Sequence, residues 1–134
     1  MPRDGAKLSR MAMLRQIVID SDNPAVLARF WAAALDDFDV LPYDDAEIAR
    51  LAALGFTPET DPCVIVGGPG LELCFQRIDE TRHGKRPLHL DIAAVDRTRE
   101  VERLVALGAS VRQHFDDHDW LVDPEGNDFC ITEP

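Results

Sequence analysis

The sequence predicts an α+β fold made of two consecutive modules, each a strand, a helix and three short strands. A strand pattern followed by a capped helix start and an apolar-striped helix occurs twice, first in residues 16–35 and again in residues 89–108. Gln16 and His89 hold matching places in the two copies, 73 residues apart (89 − 16). A duplicated half-domain of this kind is expected to build its working surface where the two copies meet.

Composition limits both the size of the fold and its partners. The 134 residues suit one domain, residues 14–134, whose two modules are each too short to fold alone. The formal net charge of −11 repels phosphate groups, so nucleic acids and anionic membranes are not expected partners. No apolar run is long enough to span a bilayer. Residues 1–13 lack the hydrophobic stretch of a secretory signal and are expected to form a flexible leader.

Cysteine usage indicates the compartment. Cys63, Cys74 and Cys130 are an odd number of cysteines, and none is closely spaced with another. This pattern does not fit a disulfide scaffold, and it favours a reducing compartment, the cytoplasm.

The first module, residues 14–78, starts with an alternating strand over residues 14–20. Asp22 and Asn23 are candidate caps for the following helix, and Pro24 suits its first turn. Apolar side chains at helical spacing predict a buried stripe on this helix, made of Val26, Leu27, Phe30, Trp31, Ala34 and Leu35.

The first module continues with a short strand over residues 38–41. An inserted helix follows, with a capping-box-like start at residues 44–47 and an end at Gly55. Two further strands are predicted, and a glycine-rich turn separates them; the ranges are 63–66 for the first strand, 67–70 for the turn and 71–78 for the second strand.

A polar linker over residues 79–87 leads to the second module, residues 88–132. Its helix is predicted to start at the Asp96 cap and to end at Gly108. The residues 123–127, Asp-Pro-Glu-Gly-Asn, are a turn signal, because proline presets φ and glycine permits a left-handed step. The strands are predicted at 88–93, 111–115, 120–122 and 128–132.

Alternation along the strands separates an apolar face, which must pack on the helices, from a polar face. A solvated sheet surface would give the same pattern, so two interpretations of the polar face remain open. The polar face collects Gln16, Asp20, Glu72, Cys74, Gln76, His89, Asp91, Asp128, Cys130 and Thr132.

Three stretches of the sequence resemble the vicinal oxygen chelate superfamily, which includes glyoxalase I, extradiol dioxygenases and bleomycin-resistance proteins. The resemblance extends over residues 14–132 and implies a glyoxalase-like fold, in which two tandem βαβββ modules form a curled mixed sheet around a cavity. The stretches are Asp22-Asn-Pro with Ala28-Arg-Phe-Trp31, Leu88-His-Leu-Asp91, and Asp123-Pro-Glu-Gly-Asn-Asp-Phe-Cys130.

The resemblance also implies a divalent metal site, with zinc, nickel, iron or manganese as the ion. Matched residue by residue, its ligands fall on Gln16, Cys74, His89 and Cys130, with Glu72 as the alternative to Cys74. The family usually has a glutamate where this chain has Cys130, and this difference argues against glyoxalase I activity itself.

The function implied is the handling of a small molecule in the cavity, with metal-dependent lyase, isomerase or dioxygenase-type chemistry. The alternative is a non-catalytic protein that binds or sequesters an antibiotic-like molecule, and a homodimer is expected in either case. Asp91, Gln76 and Trp120 are the candidate substrate-binding residues. His118 lies near a loop and is expected to be solvated, with the mouth of a cavity as its alternative place.

Overall fold

A computed structural model of the chain describes residues 14–78 and 89–134. The predicted leader, the linker and Leu88 therefore lie outside the described residues. In chain order the helices and strands are β1 (Gln16–Ser21), α1 (Pro24–Ala34), β2 (Asp39–Val40), α2 (Asp45–Ala53), β3 (Cys63–Gly68), β4 (Leu71–Arg77), β5 (Leu90–Ala93), α3 (Arg97–Leu107), β6 (Ser110–His114), β7 (His118–Val122) and β8 (Asp128–Thr132).

The strands form two four-stranded sheets, ordered β1-β4-β3-β2 and β5-β8-β7-β6. In each sheet the first strand of the module pairs in parallel with the last, and the other pairs are antiparallel. The predicted α+β fold of two tandem βαβββ modules is confirmed. The strands of each module pair among themselves, so the mixed sheet consists of two four-stranded halves that are not closed into a barrel. None of the three helices in the described part of the chain has the apolar length that a membrane crossing needs.

One hydrophobic core joins the two modules. Trp31 of α1 and Phe129 of β8 are 1% and 0% exposed, and their rings meet edge to face with centroids 5.1 Å apart. Phe30 lies beside both rings, at 5.1 Å from Trp31 and 6.3 Å from Phe129. The predicted burial of Phe30 and Trp31 is confirmed, and burying rings of this size is a main stabilising contribution to the domain.

The predicted division of the strands into two faces is confirmed by burial. On β1, Ile19 is 5% exposed while Val18, its neighbour on the polar face, is 52% exposed. On β4, Leu73 and Phe75 are buried on the core side, and Cys74 on the other face is also buried, whereas the next residue of that face, Gln76, is exposed. The polar side chains therefore lie on the sheet faces away from the helices.

The glycine-rich turn is shorter than predicted. Gly67 and Gly68 continue strand β3, and the turn is confined to Pro69 and Gly70. A Cβ atom at Gly68 would lie 2.3 Å from the ring of Phe38. A larger residue at this position would have to displace the Phe38 ring, because the ring packs directly on the strand backbone.

Two of the predicted helix caps are confirmed and one is wrong. The Asp44 side chain accepts from Glu47 N at 2.8 Å, and the Asp96 side chain accepts from Arg99 N at 3.1 Å. Asn23 makes no side-chain cap bond. Instead, Glu125 from the second module accepts from Asp22 N at 2.6 Å and Asn23 N at 3.1 Å. The start of α1 is thus capped by a residue about a hundred positions away.

The inserted segment around α2 is anchored by a buried carboxylate. Asp61 is 4% exposed and accepts from the Tyr43 hydroxyl at 2.8 Å and from Cys63 N at 2.9 Å. Burial raises the pKa of the Tyr43 phenol, and its hydrogen bond to Asp61 and the charge of Asp61 raise it further. Neutral Tyr43 therefore belongs to the folded structure.

Tyr43 is the single tyrosine of the chain, so its ionisation can be followed directly by ultraviolet absorbance. We expect little tyrosinate at pH values just above the ordinary tyrosine pKa of about 10. The pKa of Tyr43 is higher in the folded protein than in the unfolded chain. The contribution of Tyr43 to the free energy of unfolding is therefore complete at pH values below the unfolded pKa, and it is lost as pH rises through the folded pKa. Asp61→Asn should move the titration midpoint down toward the ordinary value. An unchanged midpoint in that variant would contradict the role assigned to Asp61.

Candidate functional site

Three neighbouring strands of the second sheet bring polar side chains to one face. Asp91 of β5 lies opposite Cys130 of β8, and Trp120 of β7 lies opposite Cys130 on the other side. Paired residues in a sheet point to the same face, so these three side chains are neighbours. His89 directly precedes β5 and, at two positions from Asp91, continues the same face.

The donor atoms of His89, Asp91 and Cys130 converge. Among the histidine, cysteine and acidic side chains of the described residues, this is the group of three whose donor atoms all lie within 4.8 Å of one another. His89 Nε2 and Asp91 Oδ1 are 3.1 Å apart, within hydrogen-bond distance. The imidazole is 49% exposed and the Asp91 carboxylate 73% exposed, whereas Cys130 is 9% exposed.

A pocket of about 540 Å³ opens beside these donors. We call it the His89 pocket, and its lining residues are His89, Phe115, His118, Trp120, Asp128 and Cys130. The Phe115 and His118 rings stack with centroids 4.4 Å apart and planes 12° from parallel. The Trp120 indole donates to the Asp128 carboxylate at 2.9 Å. The pocket thus combines aromatic walls with a nitrogen, a sulfur and a carboxylate, which is typical of small-molecule sites.

The charge of the site is negative. Burial raises the pKa of the Cys130 thiol, and the charges of Asp91 and Asp128 raise it further. Cys130 is therefore held as a neutral thiol under the influence of two carboxylates. A bound cation would reverse this arrangement, because it compensates both carboxylates and stabilises the thiolate.

The remaining predicted ligands lie on the first sheet. Gln16 Nε2 donates to Glu72 Oε1 at 3.3 Å, between the parallel strands β1 and β4. Cys74 Sγ lies 3.0 Å from Cys63 Sγ. Glu72 and Cys74 are outside the group formed by the second-sheet donors, and their part in a metal site stays a prediction. Gln76 is exposed on β4 and does not line the His89 pocket.

Of the eight positions singled out as metal or substrate residues, the structure therefore brings four together: His89, Asp91, Trp120 and Cys130. It also adds Phe115 and His118, and the mouth of a cavity was the alternative place expected for His118. His118 lies in the pocket because β7 begins at His118 rather than at Trp120, and residues two apart on a strand share a face. Extending the predicted strand by two residues would have found it. Phe115 carried no such signal, since it follows the end of β6.

The donor set suits a borderline-soft divalent ion. One imidazole nitrogen, one thiolate and one carboxylate oxygen are all ligands that zinc accepts. Three protein ligands also leave a coordination position for a small molecule, as in catalytic zinc sites. The residues present therefore fit the kind of metal that the family resemblance implies. The ligands differ from the implied set, because Asp91 joins His89 and Cys130 in the converging group.

Comparisons with known proteins agree with the fold. The model of the glyoxalase-like domain family matches residues 16–132. No curated protein matches the sequence significantly. Among solved structures, a glyoxalase/bleomycin resistance protein/dioxygenase family enzyme from Burkholderia phytofirmans PsJN is 16% identical with a TM-score of 0.63, and the match covers 91% of this chain and 98% of that one.

Two further structures are similar at the same level. The trypanothione-dependent glyoxalase I of Leishmania major is 18% identical with a TM-score of 0.60, covering 91% of this chain and 86% of that one. A glyoxalase-related enzyme from Fulvimarina pelagi is 13% identical with a TM-score of 0.62, covering 92% and 89%. Identities this low show the fold alone. With the family match over nearly the whole sequence, the chain belongs to the glyoxalase-like domain family of the vicinal oxygen chelate superfamily.

Proposed function

We propose that the chain binds a small molecule in the His89 pocket, beside a divalent metal ion held by His89, Asp91 and Cys130. The observation that supports this most directly is the convergence of the three donor atoms within 4.8 Å at the edge of a pocket of about 540 Å³. His89 and Cys130 belong both to the donor group and to the pocket wall. A ligand in the pocket would therefore contact the metal.

Zinc is the ion that this donor set favours, because a thiolate is a poor ligand for hard ions such as manganese or magnesium. A metal at this position would supply Lewis-acid polarisation of the ligand's oxygen atoms, the basis of lyase and isomerase chemistry. Zinc has no redox chemistry, so dioxygenase-type chemistry at this site would require a redox-active ion such as iron. Binding would displace the proton on the Cys130 thiol, whose pKa is raised in the metal-free protein, so metal uptake is expected to release a proton.

The protein's own side chains orient the ligand. Trp120 is fixed by its hydrogen bond to Asp128, and the Phe115–His118 stack offers a flat aromatic surface. Such rigid aromatic walls bind planar or apolar parts of a small molecule. The carboxylates at the site and the net charge of −11 favour neutral or cationic ligands by electrostatic steering.

The test is a zinc titration of the untagged protein after metal removal. We expect one high-affinity site per chain in the wild type and a loss of affinity of at least about 100-fold in His89→Ala, because loss of a direct ligand exceeds the cost of losing an outer-shell partner. Calorimetry would report the stoichiometry, the affinity and the proton release together. A wild-type protein that binds no zinc, or a His89→Ala variant that binds like wild type, would overturn the metal proposal.

His114→Ala is the matched control, since His114 contacts Asp119 at 2.5 Å and does not line the His89 pocket. It should bind zinc like wild type. Gln16→Ala separates two ligand sets. If only the second-sheet donors bind the metal, Gln16→Ala should have the zinc affinity of the wild type. A weaker zinc affinity would indicate that the first-sheet ligands implied by the family resemblance also take part.

A second candidate is a metal-free binding protein that sequesters a planar molecule. The parallel Phe115–His118 stack favours it, because this surface needs no metal to bind an aromatic ligand. In that case Trp120→Ala would abolish ligand binding, while His89→Ala would leave it intact. A homodimer is part of both proposals, and light scattering on the purified protein would test it.

A further inference from the structure

Two of the three cysteines meet on the first sheet, away from the His89 pocket. Cys63 begins β3 and Cys74 lies in the middle of β4, and their Sγ atoms are 3.0 Å apart. In the antiparallel register Cys63 is opposite Gln76 and Cys74 is opposite Ile65, so the two cysteines are diagonal neighbours on one face. The sequence alone did not predict this proximity, because the cysteines are eleven positions apart and joined by a hairpin.

The contact is close to what a disulfide needs. A disulfide has an S–S length of about 2.05 Å, so the two sulfur atoms need to approach by roughly 1 Å. Rotation of the two cysteine side chains, together with a small shift of the strands, can supply such a movement. Both thiols are free in the structure.

The two thiols differ in their access to solvent. Cys63 is exposed, whereas Cys74 is 5% exposed. Burial raises the pKa of the Cys74 thiol to about 12, and its contact with Cys63 and the charge of Glu72 contribute to the rise. Cys74 therefore stays protonated and can donate its S–H to the Cys63 sulfur. Cys63 is the thiol that a dissolved oxidant reaches first.

We propose that Cys63 and Cys74 form a reversible dithiol–disulfide pair, with Cys63 as the peroxide-reactive thiol and Cys74 as the resolving thiol. The oxidant is a hydroperoxide. The Cys63 sulfur attacks its terminal oxygen, the O–O bond breaks and an alcohol (water, for hydrogen peroxide) leaves with the thiol proton, giving a sulfenic acid. The Cys74 sulfur then attacks the sulfenic sulfur, the S–S bond forms, the S–O bond breaks and water leaves with the Cys74 proton.

Disulfide formation would change the first sheet in two ways. It would link β3 to β4 across their hairpin, which constrains the unfolded chain and should raise the thermal unfolding midpoint. It would also remove Cys74 from the different ligand set that the family resemblance implies. The site is independent of the metal proposal, since neither cysteine belongs to the His89, Asp91 and Cys130 group.

The test is thiol counting by mass spectrometry on the full chain. The reduced protein, denatured and alkylated, should carry three adducts, one for each cysteine. After brief treatment with hydrogen peroxide it should carry one adduct, at Cys130, and dithiothreitol should restore three. No lysine or arginine lies between Arg50 and Arg77, so trypsin leaves both cysteines in one peptide, residues 51–77. That peptide should lose the mass of two hydrogen atoms.

Cys130→Ser is the matched control and should still lose two alkylation sites on oxidation. Cys63→Ser should lose none, and because position 63 is exposed the variant is expected to fold. Full alkylation of the peroxide-treated wild type would overturn the proposal. So would a sulfinic acid on Cys63 with Cys74 still alkylated, or a cross-link through Cys130 between chains.

Discussion

Replacing Asp123 with alanine is expected to destabilise the protein by about 3–5 kcal/mol, the range for removing one partner of a buried charged network. Asp123 is 3% exposed and accepts four hydrogen bonds. Its Oδ1 accepts from Glu125 N and Asn127 N, both at 2.9 Å. Its Oδ2 accepts from the Trp31 indole at 3.1 Å and from Asn127 Nδ2 at 2.8 Å.

The loss is large because the donors stay buried when the acceptor is removed. The Trp31 indole N–H lies in the core and Asn127 is 4% exposed, so water cannot easily replace the carboxylate. A domain of this size is stable by only about 5–15 kcal/mol, so a change of this magnitude is a large fraction of the total. Urea unfolding followed by Trp fluorescence would measure it.

Two further variants keep this prediction testable. Asp36→Ala changes an exposed aspartate in the turn after α1 and should stay within about 0.5 kcal/mol of wild type. Trp31→Phe removes the indole donor from the other end of the bond, and should couple with the Asp123 variant in a double-mutant cycle. If the urea midpoint of unfolding were the same in Asp123→Ala as in the wild type, the four hydrogen bonds that Asp123 accepts would not stabilise the fold.

The Asp123–Asn127 turn joins the two modules. Asp123 bonds to Trp31 of α1, and Glu125 accepts from the Ser21 hydroxyl at 2.6 Å and from the first backbone N–H groups before α1. A negative carboxylate at a helix N-terminus is favourable because it compensates the free N–H groups and the helix dipole. The segment that carries much of the family resemblance therefore has a structural role.

Local chemistry was enough to predict the modules, the faces of the strands and two of the three caps. Strand alternation placed Ile19 and Phe75 in the core, and it placed His89 and Cys130 on a common polar face, because side-chain direction depends only on position along the strand. Asp96 caps α3 from its own sequence neighbourhood. Such features need no knowledge of distant contacts.

Features that depend on distant contacts could not be predicted in the same way. Glu125 replaces Asn23 as the cap of α1 only because the second module folds back onto the first. The Cys63–Cys74 contact depends on the register of β3 against β4, which the sequence pattern does not fix to one residue. The group of metal donors contains Asp91 and not Gln16, because β5 pairs with β8 within the second sheet and this pairing places Asp91 beside Cys130.

The second large effect is expected at the metal donors. Replacing Cys130 with serine should weaken zinc binding by at least about 100-fold, because a neutral hydroxyl cannot replace a thiolate. Replacing it with glutamate, the residue that the family usually has there, should restore binding through an oxygen ligand. The His89 pocket, about 540 Å³, provides space for the longer side chain.

The two replacements show whether Cys130 is a metal ligand or only a buried thiol with a structural role. Cys130→Glu should narrow the preference for zinc over manganese, since an oxygen ligand replaces a sulfur ligand. Both proteins would be compared in a Cys63→Ser background, so that the exposed thiol does not compete for metal. With cobalt in place of zinc, the parent should show thiolate-to-metal charge-transfer absorption that both Cys130 variants lack. If the parent binds cobalt without that absorption, Cys130 is not a ligand, and His89 and Asp91 alone are too few to hold a zinc ion tightly.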